Sequence, residues 1–170
     1  MPAKPSYLLR ALDPKTERDL YREAYQWRLK PSKVRRKQVI PFEEFAADDP
    51  TQITLGLFNG ELVAVYFFHQ IGESEWQAHF TSRRDADKWA VLRAAQELVD
   101  WFKANNLQMT AYILARNTPL CHFVEAAGLT RVSERQNKVL QSDTDGVSLP
   151  PANETFVEYR SGVIKPGPLR

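Results

Sequence analysis

The chain has 170 residues, of which 43% are hydrophobic and 26% are charged, and its formal net charge at pH 7 is +2. This length suits one domain with a sizeable apolar core, and the composition is that of a globular protein in water. So small a net charge does not favour nucleic acid as a partner. The longest apolar stretch, Leu62 to Phe68, is far shorter than the roughly 20 residues needed to cross a bilayer.

The cysteine and histidine content predicts neither a disulfide nor a metal site. Cys121 is the single cysteine, and the three histidines, His69, His79 and His122, do not form a paired-ligand motif. The N-terminal segment has no apolar core of signal-peptide length. We therefore expect a cytoplasmic protein of a reducing compartment, with Cys121 as a small buried apolar residue and no membrane partner.

The first 50 residues predict a short strand followed by two helices. The strand spans Tyr7 to Ala11, and the dipeptide Asp13-Pro14 is typical of a helix start. Apolar residues then recur at helical spacing until Pro31, which should end this helix. A basic run from Lys33 to Lys37 is predicted to lie in a solvated loop, before a second short helix over Pro41 to Phe45.

After residue 50 the sequence changes to the alternating period of strands. Asn59-Gly60 between two apolar runs is a strong hairpin signal, and the near-continuous apolar run after it predicts a strand buried on both faces. A third strand is predicted from Trp76 to Thr81. Alternation would place His79 on one face of this strand and Ala78 and Phe80 on the other.

Two more helices and a strand are predicted between residues 87 and 128. A long helix from Asp87 to Ala104 carries a wide apolar face, as expected of a helix that lies on a sheet. A strand from Thr110 to Leu114 follows, and a short helix from Leu120 to Ala127 ends at Gly128, a residue type that tolerates the left-handed backbone. We interpret the tryptophans as core or sheet packing residues: Trp27, Trp76, Trp89 and Trp101.

The order of elements predicts an α/β fold with a mixed central sheet and helices on both faces. We assign residues 1–140 to the main body of the domain. Residues 141–170 are predicted to add a loop, one last strand from Thr155 to Tyr159, and an extended C-terminal tail. The strands Trp76–Thr81 and Thr110–Leu114 should run parallel, because the long helix between them supplies the crossover that parallel strands require.

Two segments resemble the GNAT family of acyl-CoA-dependent N-acyltransferases. The first is the strand, loop and long helix from Trp76 to Ala104, with Arg83-Arg84 in the loop. The second, Ala115 to Leu129, is similar to the strand-exit asparagine, short helix and glycine ending of that family. The resemblance covers roughly Ser6 to Val139. It implies a GNAT-like mixed sheet that splays open between its two parallel strands to form a cleft.

The same resemblance implies a cofactor site for acetyl-CoA, with a primary amine as the acceptor. In the family, the loop and the N-terminus of the long helix hold the pyrophosphate, because free backbone amides and the helix dipole attract phosphate oxygens. The residues that the resemblance assigns to cofactor binding are Phe80, Thr81, Ser82, Arg83, Arg84 and Asn117.

The sequence departs from the family pattern at two points. The family's loop carries glycine, which lets the backbone approach the phosphates, whereas the segment from Arg84 to Trp89 has no glycine and two aspartates. Asp85 or Asp87 is expected to cap the helix and to use the amides that a pyrophosphate would need. Many GNAT enzymes also carry a tyrosine four residues before the terminal glycine, and Val124 occupies that position here.

Other residues must then handle protons if the protein is an enzyme. His79 is the candidate general base, because an imidazole titrates near neutral pH. His122 is the candidate acid, with Glu73 and Glu75 as weaker alternatives for the base. The alternative for His79 is a structural histidine on a half-buried strand.

The sequence leaves two functions open. The first is transfer of an acetyl group from acetyl-CoA to a primary amine. The second is a catalytically silent GNAT-fold scaffold, since the centre of the chain is similar to small GNAT-like proteins packaged in virions of short-tailed phages. In that case the polar segment from Pro150 to Arg170 would dock on a protein partner, in the host cytoplasm or the virion. The sequence slightly favours acetyl transfer.

Overall fold

The computed structural model describes residues 7–29, 41–142 and 148–162. The predicted helix stop at Pro31, the basic run Lys33–Lys37 and the last residues of the predicted tail lie outside these ranges. Within them the chain forms seven strands: β1 (Leu8–Ala11), β2 (Gln52–Asn59), β3 (Glu61–Gly72), β4 (Glu75–Ser82), β5 (Gln108–Leu114), β6 (Thr130–Ser142) and β7 (Ser148–Arg160). The helices are α1 (Arg18–Leu29), α2 (Phe42–Phe45), α3 (Lys88–Ala104) and α4 (Thr118–Ala126).

The strands form one mixed sheet in the order β1-β2-β3-β4-β5-β7-β6. Neighbouring strands are antiparallel except for β4 and β5, which are parallel and are joined by α3. The Asn59-Gly60 hairpin is also present, with Gly60 at φ +72°. The predicted α/β fold and the parallel pair are therefore confirmed.

Two apolar clusters lie on opposite faces of the sheet. The larger one joins α3 and α4 to the face of the sheet that carries Ala64, Tyr66 and Phe68. The smaller one joins α1 and α2 to the opposite face around Val65. Neighbouring residues of β3 thus enter different clusters, which confirms the prediction of a strand buried on both faces.

The start of the first helix was predicted too early. α1 begins at Arg18 rather than at Asp13, and Pro14 lies in a turn. The Asp13 carboxylate accepts a hydrogen bond from the backbone N–H of Lys15 at 2.9 Å. This contact two residues along the chain stabilises a turn in place of a helical cap.

The packing role predicted for two of the tryptophans is wrong. Trp89 is 78% exposed and Trp101 is 55% exposed, whereas Trp27 and Trp76 pack against the apolar clusters. The predicted apolar face of α3 was wider than the face that the sheet covers. The helix buries a narrower set instead: Val91, Ala94, Ala95, Leu98, Val99 and Phe102.

Most of the segment after residue 128, including part of the loop predicted within residues 141–170, instead forms two long antiparallel strands. β6 was missed, and β7 begins at Ser148 rather than at Thr155. Side chains from Arg131 to Lys138 are mostly exposed and polar, so they give no period that distinguishes a strand from a loop. Residues 148–154, which precede the predicted last strand, are therefore part of the sheet, and β7 lies between β5 and β6.

Candidate functional site

The parallel strands β4 and β5 pair only at their N-terminal ends. Their register includes three rungs, the last of which joins Gln77 to Thr110. Beyond this rung β4 continues to Ser82 and β5 to Leu114, but the two strands are no longer paired. The predicted cleft between them is present, with about 110 Å³ of free volume.

One face of this cleft is apolar. β4 and β5 turn small and aromatic side chains toward α3 and α4 here, and Phe123 of α4 stacks on Phe80 with ring centroids 4.8 Å apart. The side chains that line this part of the cleft include Ala78, Phe80, Ala111, Ile113, Leu120 and Phe123. The cleft therefore offers a narrow apolar slot with unpaired strand edges on both sides.

The opposite face carries polar groups at the position two residues beyond the last paired rung. His79 and Tyr112 each lie two residues past that rung, on β4 and β5, and both line the cleft. Cross-strand pairing extends their rung in both directions across the sheet. Its members, from β2 to β6, are Thr54, Phe67, His79, Tyr112, Glu158 and Ser133.

His79 is exposed at the mouth of the cleft rather than packed between layers. Its ring stacks on Phe67 with centroids 5.0 Å apart and planes 14° from parallel. The Arg28 guanidinium lies 4.8 Å from the centre of the same Phe67 ring and also lines the cleft. The face predicted for His79 by alternation is confirmed, and its role as a base stays a prediction.

Glu158 is a buried carboxylate beside Tyr112, at 4% exposure. It accepts hydrogen bonds from Ser133 Oγ at 3.1 Å and from Arg135 at 3.2 Å, and Arg160 lies 3.6 Å away. Burial alone would raise the pKa of Glu158. Hydrogen bonds from Tyr112 and Ser133 and the charges of the two arginines outweigh burial, so the pKa lies below its ordinary value.

Tyr112 is shifted in the opposite direction. Burial, followed by its hydrogen bond to Glu158, raises the pKa of the Tyr112 phenol, so it stays protonated at neutral pH. Sequence reasoning missed both residues. Tyr112 stands at the same offset past the split on β5 as His79 does on β4, but this register comes from the structure and has no signal in the sequence.

A second opening of about 490 Å³ adjoins the cleft where α3 and α4 begin. Phe80, Leu120 and Phe123 line both spaces, so the two are continuous. The structure brings all the residues predicted for cofactor binding to this opening: Phe80, Thr81, Ser82, Arg83, Arg84 and Asn117. We call this opening the α3 entrance.

Three basic side chains line the α3 entrance, Arg83, Arg84 and Lys88, and the first of them is held in ion pairs within the protein. Arg83 makes ion pairs with Asp85 at 2.9 Å and with Glu61 at 3.0 Å. Arg84 is exposed, and none of the described carboxylates forms an ion pair with it. Arg84 is therefore the better placed of the two arginines to meet an anion.

The helix N-terminus itself is capped by a carboxylate. Asp87 Oδ1 accepts a hydrogen bond from the backbone N–H of Trp89 at 2.9 Å. The prediction that an aspartate caps α3 is confirmed. One of the amides that would attract a phosphate is thereby taken, and a negative charge stands beside the others.

The remaining candidates lie away from the mouth of the cleft or are engaged elsewhere. His122 is exposed on α4 and does not line the cleft or the α3 entrance, so the structure does not bring the predicted acid to the site. Val124 is buried at 7% exposure. Glu73 is exposed in a turn, and Glu75 accepts a hydrogen bond from the Thr110 hydroxyl at 2.9 Å.

Two other predictions concern the described residues as a whole. None of their histidine, cysteine and carboxylate side chains form a group that could hold a metal ion. No helix in the described ranges has the length and apolarity to span a membrane. Cys121 is buried, as predicted, with its Sγ 3.8 Å from the Leu114 carbonyl oxygen.

Comparison with known proteins gives a clear result for the fold and none for the sequence. No protein-family model matches the chain, and no curated protein matches it. Many solved structures do match. Their sequence identities to this chain are low, so the likeness concerns the fold alone.

Three of these solved structures illustrate the likeness. The acetyltransferase of the GNAT family from Streptococcus pneumoniae superposes with a TM-score of 0.63 at 13% identity, over 91% of this chain and 98% of that one. The ribosomal-protein-S18-alanine N-acetyltransferase from Escherichia coli gives 0.66 at 16%, over 91% and 92%. Spermidine/spermine N-acetyltransferase from Vibrio cholerae gives 0.64 at 13%, over 91% of each chain. This chain has the GNAT acetyltransferase fold.

Proposed function

We propose that the protein is an N-acetyltransferase that transfers the acetyl group of acetyl-CoA to a primary amine. The split between β4 and β5, with His79 and Tyr112 two residues past the last paired rung, is the observation that carries this proposal. The split opens an apolar slot on one face of the sheet and a polar mouth on the other. Two reactants could therefore meet there from opposite sides.

The residues of the slot fit the thioester arm of acetyl-CoA. The edge of β4 beyond Gln77 is not paired with β5. Its backbone N–H and C=O groups could therefore form hydrogen bonds with the extended, amide-containing arm of the cofactor. Aromatic walls from Phe80 and Phe123 exclude water from the slot. When bound, acetyl-CoA would supply the thioester whose acetyl group is transferred.

The α3 entrance fits the phosphates less well. Arg84 and the hydroxyl groups of Thr81 and Ser82 would hold phosphate oxygens. Asp87 and the ion pairs of Arg83 oppose this binding, because they place negative charge near the site and occupy donors. We propose that acetyl-CoA binds, with an affinity set more by the slot than by the phosphates.

His79 is proposed as the general base. Its ring is exposed at the mouth of the cleft, on the side from which an acceptor amine would enter. It would take a proton from the attacking amine, directly or through one water. Backbone N–H groups on the unpaired edge of β4 would polarise the thioester carbonyl. This chemistry needs no nucleophilic side chain.

The alternative proposal is a catalytically silent GNAT-fold protein that works as a scaffold, such as a phage virion component in the host cytoplasm or the virion. The observation in its favour is the α3 N-terminus, where the protein's own Asp87 takes the place of a phosphate. The segment first expected to dock on a partner is in part strand β7, which weakens the docking argument.

The test is a calorimetric titration of acetyl-CoA into the wild type and two arginine variants. We expect wild-type binding and a loss of about 1–3 kcal/mol in Arg84→Ala, the worth of a charged hydrogen bond to phosphate. Arg93→Ala is the matched control, because Arg93 is exposed on α3 and does not line the α3 entrance. Its affinity should equal that of the wild type.

Two results would count against the proposal. If acetyl-CoA at millimolar concentration gives no heat with the wild type, the silent scaffold is favoured. If the affinity is unchanged when Arg83 and Arg84 are both replaced by alanine, the α3 entrance has no part in cofactor binding.

A further inference from the structure

Tyr112 occupies a special position relative to the split. Its neighbour on one side of the rung is Glu158 of β7, to which it is directly paired. On the other side the rung is interrupted by the cleft, and His79 stands across the gap. Tyr112 is thus the β5 residue that faces the proposed base across the mouth of the cleft, and it lines that cleft.

The cross-strand pairing of Tyr112 with Glu158 places the carboxylate beside the phenol and determines which way the Tyr112 hydroxyl points. Glu158 is an ionised carboxylate that only accepts hydrogen bonds, so the phenol must be the donor. A phenol has one hydrogen, and this one is committed to Glu158. The lone pairs of the Tyr112 oxygen can then only accept, and a primary amine is the kind of group that donates to them.

Glu158 is itself held firmly enough to act as this anchor. Ser133 and Arg135 of β6 and Arg160 of its own strand contact the carboxylate, and the Arg135 guanidinium also lies 5.7 Å from the centre of the Tyr112 ring. These contacts leave Glu158 buried and charged, and they keep it from reaching into the cleft as a counter-ion. The group presented to the cleft is therefore the Tyr112 oxygen.

We infer that Tyr112, oriented by Glu158, is the positioning residue that binds the acceptor's primary amine opposite His79. This inference rests on the proposed acetyl transfer. One N–H of the neutral amine donates to Tyr112 Oη, and the nitrogen lone pair points at the thioester carbon in the split. As the C–N bond forms and the C–S bond breaks, His79 takes a proton from the nitrogen and the thiolate leaves with the C–S electron pair.

The experiment measures acetyl transfer to benzylamine as a simple primary-amine probe, by the release of the free CoA thiol. In the same proteins, calorimetry measures the affinity for acetyl-CoA. Tyr112→Phe keeps the ring and removes the acceptor oxygen, so the KM for benzylamine should rise about 10-fold or more, with a smaller change in kcat. The affinity for acetyl-CoA should not change.

Two further variants separate positioning from folding. Glu158→Gln retains an oxygen that can accept from the phenol, so its KM should lie between those of the wild type and Tyr112→Phe. Tyr7→Phe removes a phenol oxygen from a tyrosine that does not line the cleft, and its kinetics should match the wild type.

The possible failures are distinguishable. A Tyr112→Phe variant that binds acetyl-CoA and has the wild-type KM for benzylamine overturns the role of Tyr112 alone. A wild type that binds acetyl-CoA and does not turn over benzylamine also overturns it. A wild type that does not bind acetyl-CoA overturns the proposed function, and this inference with it.

Discussion

The two ends of the proposed site are built in different ways. At the split, the geometry comes from strand register: β4 and β5 separate after three rungs, and the position two residues further along each strand places His79 and Tyr112 on the same face. At the α3 entrance, the geometry comes from loop side chains, and some of these form ion pairs or hydrogen bonds within the protein. Arg83 is paired with Asp85, and Asp87 caps the helix.

The difference shows which features of a fold depend on the backbone and which depend on particular side chains. A split between strands is a backbone feature that many side chains allow, and this chain forms it within a fold that it shares with structures of low sequence identity. A phosphate site at a helix N-terminus depends on free amides and on the absence of nearby negative charge. A single aspartate at position 87 alters both.

The largest expected effect concerns His79 at the split. If acetyl transfer occurs there, His79→Ala should lower the rate by about 10²- to 10⁴-fold, the usual contribution of one positioned base. A coupled assay of CoA release at saturating acetyl-CoA would measure it. His69→Ala is the control, because His69 is exposed on β3 and does not line the cleft. Equal rates for the two variants would remove His79 from the reaction.

The next effect tests whether the polar side of the split is a preformed charged network. The lowered pKa of Glu158 contributes stability that is present above the unfolded-state value of about 4.3 and is lost as the pH falls through the folded-state value. Glu158→Gln should therefore lower the free energy of unfolding at neutral pH by about 1–3 kcal/mol.

Urea unfolding of the wild type and Glu158→Gln at neutral and acidic pH provides the measurement. The difference between the two proteins should shrink as the pH falls below the unfolded-state value of about 4.3 and through the lower folded-state pKa of Glu158, where the wild-type carboxylate becomes protonated. A difference that is the same at both pH values would show that Glu158 is not held in its charged form.

The smallest expected effect concerns Asp87 at the α3 entrance, whose side chain both caps the helix and carries a negative charge. Asp87→Ser keeps a side chain that can cap α3 and removes the negative charge, so it should bind acetyl-CoA more tightly at unchanged stability. Asp87→Ala loses the cap and should be about 1 kcal/mol less stable to urea. Weaker acetyl-CoA binding by Asp87→Ser would mean that the carboxylate does not oppose the phosphates.

The sequence predicted the parallel strand pair because its signals are local, whereas the split between these strands was expected from the family resemblance. The long amphipathic segment that became α3 lies between two strand patterns, and a crossover of this kind joins parallel strands. The cap at Asp87 and the face of His79 were predicted by equally local rules. Trp89 was misjudged because an apolar stripe on a helix does not show how much of it the sheet covers.

The polar side of the split could not be predicted in the same way. Glu158 approaches Tyr112 only because β7 inserts between β5 and β6, and sequence order gives no indication of this. β6 itself carries mostly exposed polar side chains between Arg131 and Lys138, so its strand character comes from pairing with β7 rather than from a pattern of burial. Pairing between distant strands therefore determines the position of Glu158 and the strand character of β6, and local sequence propensity does not predict either.

A calorimetric titration of the wild type with two ligands tests the central claim most directly. The ligands are acetyl-CoA and adenosine 3′,5′-bisphosphate, which carries the nucleotide end of the cofactor without the thioester arm. The apolar slot fits the thioester arm, whereas Arg83 and one amide at the N-terminus of α3 are already bound within the protein. Acetyl-CoA should therefore bind at least about 10-fold more tightly than the bisphosphate. Equal affinities, or no binding of acetyl-CoA, would contradict this account.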